Sequence, residues 1–252
     1  MTHRGPSALD LVRHAESEGN LADERAQAAG AQALDIGTRD ADVELSPTGV
    51  RQARALGAWL AALPAGQRPD ALLSSPYRRA VATAEAALEG GGLAVPILLD
   101  ERMRERELGV FDGLTGIGVR ARYPEESRRR ERLGKLYYRP PGGESWCDVA
   151  LRVRGMLDTL REEHDGRRAM LVTHQAVIMS FRYVLERLTE RQLLNIDGGT
   201  PVANCSLTRY VPGPAGTYQL DVFNDASTIA SMGEPVTQEP AREEPDTDVV
   251  AR

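Results

Sequence analysis

At 252 residues, 41% hydrophobic and 27% charged, the chain is long enough to bury a sizeable core in one large α/β domain or two small ones. No apolar run approaches the ~20 residues of a membrane helix, and MTHRGPSALDLV lacks signal-peptide architecture, so a cytoplasmic location is the default expectation. Of the formal charge of −6, residues 234–252 hold −4 (six acidic residues, two arginines), which leaves a body near −2 and argues against a nucleic-acid partner. Cys147 and Cys205 offer neither a disulfide framework nor C-x-x-C spacing, and read as small buried apolar residues.

Along the chain, Leu9 to Val12 is a short run whose aliphatic side chains suggest burial on both faces of a strand. It stops at Arg13-His14, and the Ala-rich LADERAQAAGAQAL after it predicts a helix beside the strand end. Ser46 and Pro47 predict an N-cap and first residue, opening a helix whose stripe is Val50, Ala53, Leu56, Leu60 and Leu63. Pro64 ends it. DALL, Asp70 to Leu73, predicts a second strand leading into SSPYRRAVATAEAAL, a helix capped by Ser75 or Ser74. Arg78 and Arg79 then fall in its first turn, where positive charge opposes the helix dipole unless an anion binds there.

Ala94 to Leu99 predicts a third strand, with Pro96 pointing to an edge or irregular position, followed by the charged DERMREREL and the Gly-rich GVFDGLTG. Arg120 to Leu136 reads as a solvent-facing helix or lid, and YYRPPGGES as a rigid turn. Ser145 caps the amphipathic helix SWCDVALRVRGMLDTLREEH, with Asp148 placed for a capping box. AMLVT, Ala169 to Thr173, is a strand that ends in His174 and a further helix. Val202 to Val211 and Tyr218 to Phe223 predict an antiparallel hairpin around PGPAG. From Gly233 the chain is acidic, Pro-rich and without core pattern, and is expected to be disordered. Strands alternating with helices predict a three-layer α/β/α sandwich with a mainly parallel sheet, in one domain spanning 1–232 and a tail of 233–252.

Three strand ends thus deliver Arg13-His14, Arg78-Arg79 and His174 to the crevice where open α/β sheets bind ligands. Of the four histidines, His3 lies near the terminus and His164 in the charged REEHDGRR, a surface setting. Arginines and imidazoles converging on one crevice describe a pocket for a dianion, most simply a phosphoryl group. A metal site is disfavoured, since the arginines would repel a cation and no carboxylate set has ligand spacing.

At these residues the chain resembles the histidine phosphatase superfamily, which includes cofactor-dependent phosphoglycerate mutases and broad-specificity phosphatases. LVRHAESEGN resembles its R-H-G signature, SSPYRRAVATAE its Ser-Pro-x-x-Arg-Ala segment, RERELGVFDGLT its acid-bearing loop and LVTHQ its second histidine, while NCSLTRY and FNDAS match more loosely. The resemblance spans residues 8 to 230 and implies a phosphoglycerate mutase-like fold without a cofactor or metal. It implies His14 as a nucleophile forming a phosphohistidine. Arg13, Arg79 and His174 would hold the phosphoryl oxygens, and Glu105 would be the general acid and base. Asn20, Ser17 and Gln175 would contact substrate. Two positions depart from the pattern, Ala15 and Gln175, each where the family usually has Gly.

The short segment from Leu114 to Ser145 favours the phosphatase branch, acting on a small phosphorylated metabolite. Mutase-type transfer and a non-catalytic phospho-ligand binder are the alternatives. Association into a homodimer is compatible with the sequence, and neither a membrane nor a nucleic acid is expected as partner.

Overall fold

Apolar runs too short for helices become the centre of the molecule. In the computed structural model, which describes residues 5–239, they form one six-stranded sheet. The strands are β1 (Ala8–Arg13), β2 (Ala71–Ser74), β3 (Ile97–Leu99), β4 (Arg168–Thr173), β5 (Leu207–Pro212) and β6 (Tyr218–Asp225). Their spatial order is β3-β2-β4-β1-β5-β6. The first four run parallel, β5 lies antiparallel on β1, and β6 antiparallel on β5. Pro96 leads into β3 at the sheet edge, as its chemistry requires.

The helices are α1 (Glu18–Ala28), α2 (Pro47–Ala62), α3 (Arg78–Gly91), α4 (Gly116–Arg122), α5 (Pro124–Leu133), α6 (Trp146–Glu163), α7 (Gln175–Leu185), α8 (Glu190–Gly199) and α9 (Ser227–Ala230). Strand alternation sorts the core into two layers. Leu9, Leu11, Leu73 and Leu171 pack with Val153 and Met156 of α6 and Ile178 and Phe181 of α7. Val12, Leu72, Met170 and Val172 pack with Leu56 and Leu60 of α2 and Ala80 and Ala84 of α3. Each large side chain so buried contributes about 1.5–3 kcal/mol. The helices therefore cover both faces, giving the expected α/β/α layers. Asp10, buried within β1, is answered by Arg209 directly across on β5, with Nε–Oδ1 2.7 Å and Nη2–Oδ2 3.0 Å.

Local signals explain most helix ends. Ser46 accepts the Gly49 N–H at 2.9 Å with Pro47 as first residue, and Ser145 and Asp148 form the expected capping box. α3 differs: its N-cap is Tyr77, without a side-chain cap, and the Ser75 hydroxyl oxygen both accepts the Tyr77 N–H at 3.2 Å and meets His174 at 2.9 Å. α1 begins three residues before the Ala-rich run, at Glu18, where Ser17 and Asn20 form a capping box. α5 follows Pro124 and buries no residue, in agreement with a solvent-facing segment.

Two expectations are corrected. His164 is 7% exposed rather than on the surface: it closes α6, and the Arg167 N–H returns to its carbonyl, folding it against the body. Within the tail expected to be disordered from Gly233, the described stretch 233–239 makes specific side-chain and backbone hydrogen bonds to the domain, while the expectation for 240–252 falls outside the described residues. A composition rule misses them because each bond depends on a distant partner. His3 and 240–252 lie outside the described residues. No described helix is long and apolar enough to cross a membrane.

Candidate active site

The carboxyl ends of β2, β4 and β1 are neighbours, and the residues after them are stitched together. The His14 N–H donates to the Thr173 carbonyl at 2.8 Å, and the Ser75 N–H to that of Val172 at 3.0 Å. The His14 and His174 rings consequently stand 5.1 Å apart between centroids, with Tyr77 edge-on to His174 at 5.2 Å. His14 Nδ1 lies 2.7 Å from the Ala15 carbonyl oxygen. That oxygen only accepts, so Nδ1 carries the proton and Nε2 keeps its lone pair. Burial, then the Arg79 and Arg13 charges, hold the His14 pKa well below the ordinary value. At neutral pH the ring is an uncharged base.

His174 is also held well below its ordinary pKa, by burial first and then Arg79, His14 and Arg13. Its Nε2 meets Ser75 Oγ at 2.9 Å, while Nδ1 is buried without a hydrogen-bond partner among the described residues. Tyr77 is pushed up to about 12 by burial and the nearby Asp40 and Glu107 carboxylates, so its hydroxyl stays protonated.

Arg13 is 1% exposed and fixed by the Val202 carbonyl through Nη1. Its Nη2 donates to Glu239 Oε1 at 2.5 Å, and Asn20 Nδ2 donates to the same oxygen at 3.0 Å. Asn20 is aimed by its neighbours. Its Oδ1 accepts from the Ser17 N–H and hydroxyl, each at 3.0 Å, and from Asn204 Nδ2 at 3.3 Å. Ser17 therefore acts on Asn20 in this structure. Asn204 also holds the His14 carbonyl at 3.1 Å.

The second arginine is Arg79, the buried member of its pair, whereas Arg78 is exposed and meets Glu44 at 3.2 Å. Arg79 faces Asp40, Nη1–Oδ1 2.9 Å, and its guanidinium lies 5.1 Å from the Tyr77 ring centre. Both arginines predicted to meet a dianion thus hold carboxylates here.

Glu105 is half-buried on the loop after β3, with Oε1 accepting the Arg106 N–H at 2.7 Å. Burial raises its pKa, the Arg106 bond and Arg79 working against the rise. The loop is clamped by Arg152, which donates to the Arg102 carbonyl at 2.5 Å, the Glu105 carbonyl at 3.3 Å and both Glu144 oxygens at 3.0 Å. Glu144 in turn accepts the Glu107 N–H at 3.1 Å and Arg104 at 2.7 Å. Burial pushes the Glu144 pKa up, but hydrogen bonds led by Arg152 outweigh it and hold the carboxyl below its ordinary value. Gly109 has φ +56, and a Cβ there would sit 2.2 Å from the Pro141 carbonyl oxygen, so the PPGG turn docks only on glycine.

Gln175 opens α7 and donates through Nε2 to Asp197 of α8 at 3.2 Å, while its Oε1 is buried without a hydrogen-bond partner among the described residues. Neither Ala15 nor Gln175 has positive φ, so the departures from glycine cause no backbone strain. Ala15 is buried, its N–H on Thr83 Oγ1 at 3.0 Å. Among the described residues, no three His, Cys, Asp or Glu gather as a metal site. Sequence reasoning missed Ser75, Tyr77, Asn204, Asp40, Arg152 and Glu239. The stretches SSPYRRAVATAE and NCSLTRY contain Ser75, Tyr77 and Asn204, without marking their roles; nothing local marked the others.

The parallel strands of the sheet thus gather at their carboxyl ends two imidazoles held below their ordinary pKa, two buried arginines and a glutamate whose pKa is raised. The chain belongs to the histidine phosphatase superfamily (branch 1), whose family model matches residues 9–226. It is similar to a 2,3-bisphosphoglycerate-dependent phosphoglycerate mutase of Methylobacterium radiotolerans, 35% identical over 77% of this chain and 87% of that protein. Phosphoserine phosphatase 1 of Hydrogenobacter thermophilus is 33% identical over 66% of this chain and 70% of that protein. Among solved structures, the mycobacterial glucosyl-3-phosphoglycerate phosphatase complexed with inorganic phosphate superposes with a TM-score of 0.66 and 26% identity, over 88% of this chain and 99% of that one. Bacillus stearothermophilus YhfR gives a TM-score of 0.69 with 28% identity, over 88% and 98%. Phosphatases and mutases both stand among these relatives.

Proposed function

We propose that this protein hydrolyses phosphomonoesters of small metabolites, without metal, through a phosphohistidine on His14. The observation that carries the reading is the bond between His14 Nδ1 and the Ala15 carbonyl in a buried, cationic surround, which keeps Nε2 unprotonated for attack. Nε2 attacks phosphorus and the ester oxygen leaves, taking its proton from Glu105. Glu105, its pKa raised by burial, holds that proton nearer neutrality than an ordinary carboxyl would. The resulting carboxylate then takes a proton from water, whose oxygen attacks the phosphohistidine and frees His14 and inorganic phosphate. Arg13, Arg79, Asn20 and His174, its unpartnered Nδ1 included, meet the non-bridging oxygens, where charge must be neutralised throughout.

Hydrolysis is favoured over mutase transfer by the short α4–α5 segment and by relatives named as phosphatases in sequence and structure. Mutase-type transfer is the second reading, supported by the mutase at 35% identity. The test is phosphate release from p-nitrophenyl phosphate in excess EDTA, wild type beside His14→Ala. Release by wild type alone supports the proposal. Release lost with chelator and restored by a divalent cation refutes metal independence, and phosphoglycerate isomerisation without net release identifies a mutase.

A further inference from the structure

Glu239 lies beyond every motif of the sequence, yet its carboxylate reaches the two donors assigned above to the phosphoryl group. The chain arrives there along a defined path. Glu234 Oε2 pairs with Arg51 of α2 at 3.1 Å. Gln52 Nε2 donates to the Pro235 carbonyl at 2.9 Å and to Thr237 Oγ1 at 3.0 Å. The Asn204 N–H donates to the Thr237 carbonyl at 2.8 Å, and the Thr237 hydroxyl lies 3.2 Å from Asn204 Oδ1. Glu239 then closes on Arg13 at 2.5 Å and Asn20 at 3.0 Å. Gln52 also accepts the Glu16 N–H and Asn204 holds the His14 carbonyl, so the segment rests on residues that fix the nucleophile's loop.

The contact is no loose surface pair, since Arg13 is 1% exposed and Glu239 24%. Carboxylate and phosphoryl oxygens present the same acceptor chemistry to a guanidinium and an amide. One pair of donors cannot serve both, and a buried arginine left without a counter-charge is strongly unfavourable.

We infer that 233–239 is a built-in competitor of the phosphoryl group: the Glu239 carboxylate takes the Arg13 and Asn20 donors and must leave them for a phosphoester to bind. The inference rests on the reading of those two residues as phosphoryl donors. A dianion outcompetes the monoanionic carboxylate for Arg13, while small monocarboxylates gain no such advantage. The segment therefore filters ligands by charge and weakens every true ligand by the fraction of time the pocket is held shut.

Calorimetric titration of the full-length protein with inorganic phosphate, in EDTA, tests this without requiring turnover. Glu239→Gln is expected to bind phosphate about tenfold more tightly, as follows if the closed form outnumbers the open one by that factor. Thr237→Ala, which loosens the anchor but leaves the carboxylate, shifts affinity in the same direction by less. In the wild type, phosphate should accelerate hydrogen exchange at the Asn204 amide, whose partner is the Thr237 carbonyl. Phosphate affinity that is unchanged or weaker in Glu239→Gln, binding by neither protein, or Asn204 exchange unmoved by phosphate overturns the inference. Hydrolysis of p-nitrophenyl phosphate is followed alongside: tighter phosphate binding in Glu239→Gln without turnover by either protein would retain the competitor and reject the hydrolase.

Discussion

Replacing Arg152 by Met should expose how the loop that carries Glu105, the proposed acid, is held. The methionine keeps the apolar stem, but the loop loses bonds to the Arg102 and Glu105 carbonyls, and Glu144 loses its paired donors. Side-chain exposures of 9% and 14% make this a largely buried pair. Breaking such a pair from one side costs about 3–5 kcal/mol; Arg104 still reaches Glu144 at 2.7 Å, which places the expected loss near the lower end. In a domain of this size that is a fall in Tm of about 6–12 °C.

Adding Glu144→Gln removes the stranded charge, so the double variant should recover about 1–3 kcal/mol relative to additivity. Urea unfolding at pH 7 measures all three variants. Turnover should fall between about tenfold and a hundredfold in Arg152→Met, since Glu105 loses a backbone anchor. The pH dependence supplies a second check. The Glu144 pKa is depressed when folded, so its contribution is present above the ordinary carboxyl value and lost as pH falls through the folded value. The gap between wild type and Arg152→Met should therefore narrow in acid. A loss below about 1 kcal/mol with unchanged turnover would falsify the clamp.

Three further outcomes are expected. His14 and His174 are held neutral when folded, so stability should decline as pH drops below their ordinary 6.5, with a slope of up to about 2.7 kcal/mol per pH unit for two imidazoles. Glu105, shifted upward, acts in the opposite sense above its ordinary value; urea midpoints between pH 7.5 and 5.5 that do not move reject the neutral-histidine assignment. Glu105→Gln should lower kcat/KM, which reports formation of the phosphohistidine and not its hydrolysis, about 10²–10⁴-fold for alkyl phosphates and much less for p-nitrophenyl phosphate, because an acidic leaving group needs no proton; equal losses of kcat/KM on both substrates argue against an acid role. Gly109→Ala should destabilise by more than about 2 kcal/mol, since it combines positive φ with a backbone clash. Gly113→Ala, with φ +69 but open space, should cost only about 1 kcal/mol, and thermal melts that fail to separate the two refute the docking argument.

Much of this site was legible because its chemistry is attached to local events. Apolar runs that end in Arg13-His14 and in His174 announce strand ends, and Ser46 and Ser145 announce helix starts whose caps formed as expected. The same local logic failed at Ser75: a serine before a proline reads as a cap, and only the neighbouring strand reveals that a histidine takes its hydroxyl. The contacts of Gln52, Asn204 and Glu239 were illegible for a plainer reason. Their partners lie 36, 190 and 226 residues away, and composition carries no trace of such pairings. α8 was missed because ERQLLNIDGG buries Leu193 alone, too little to print a periodic stripe.

The absence of buried residues in α5 has an evolutionary consequence. β1, which ends beside His14, lies inside the sheet with partners on both edges, where nearly any change is punished by unfolding. α5 adds no packed side chain to that core, and apart from Glu126, which accepts the hydroxyl of the buried Tyr138 at 2.8 Å, its arginines and glutamates can change with little penalty to the fold. Change along the outer face of Pro124–Leu133 is thus separable from change in the sheet that carries His14 and His174.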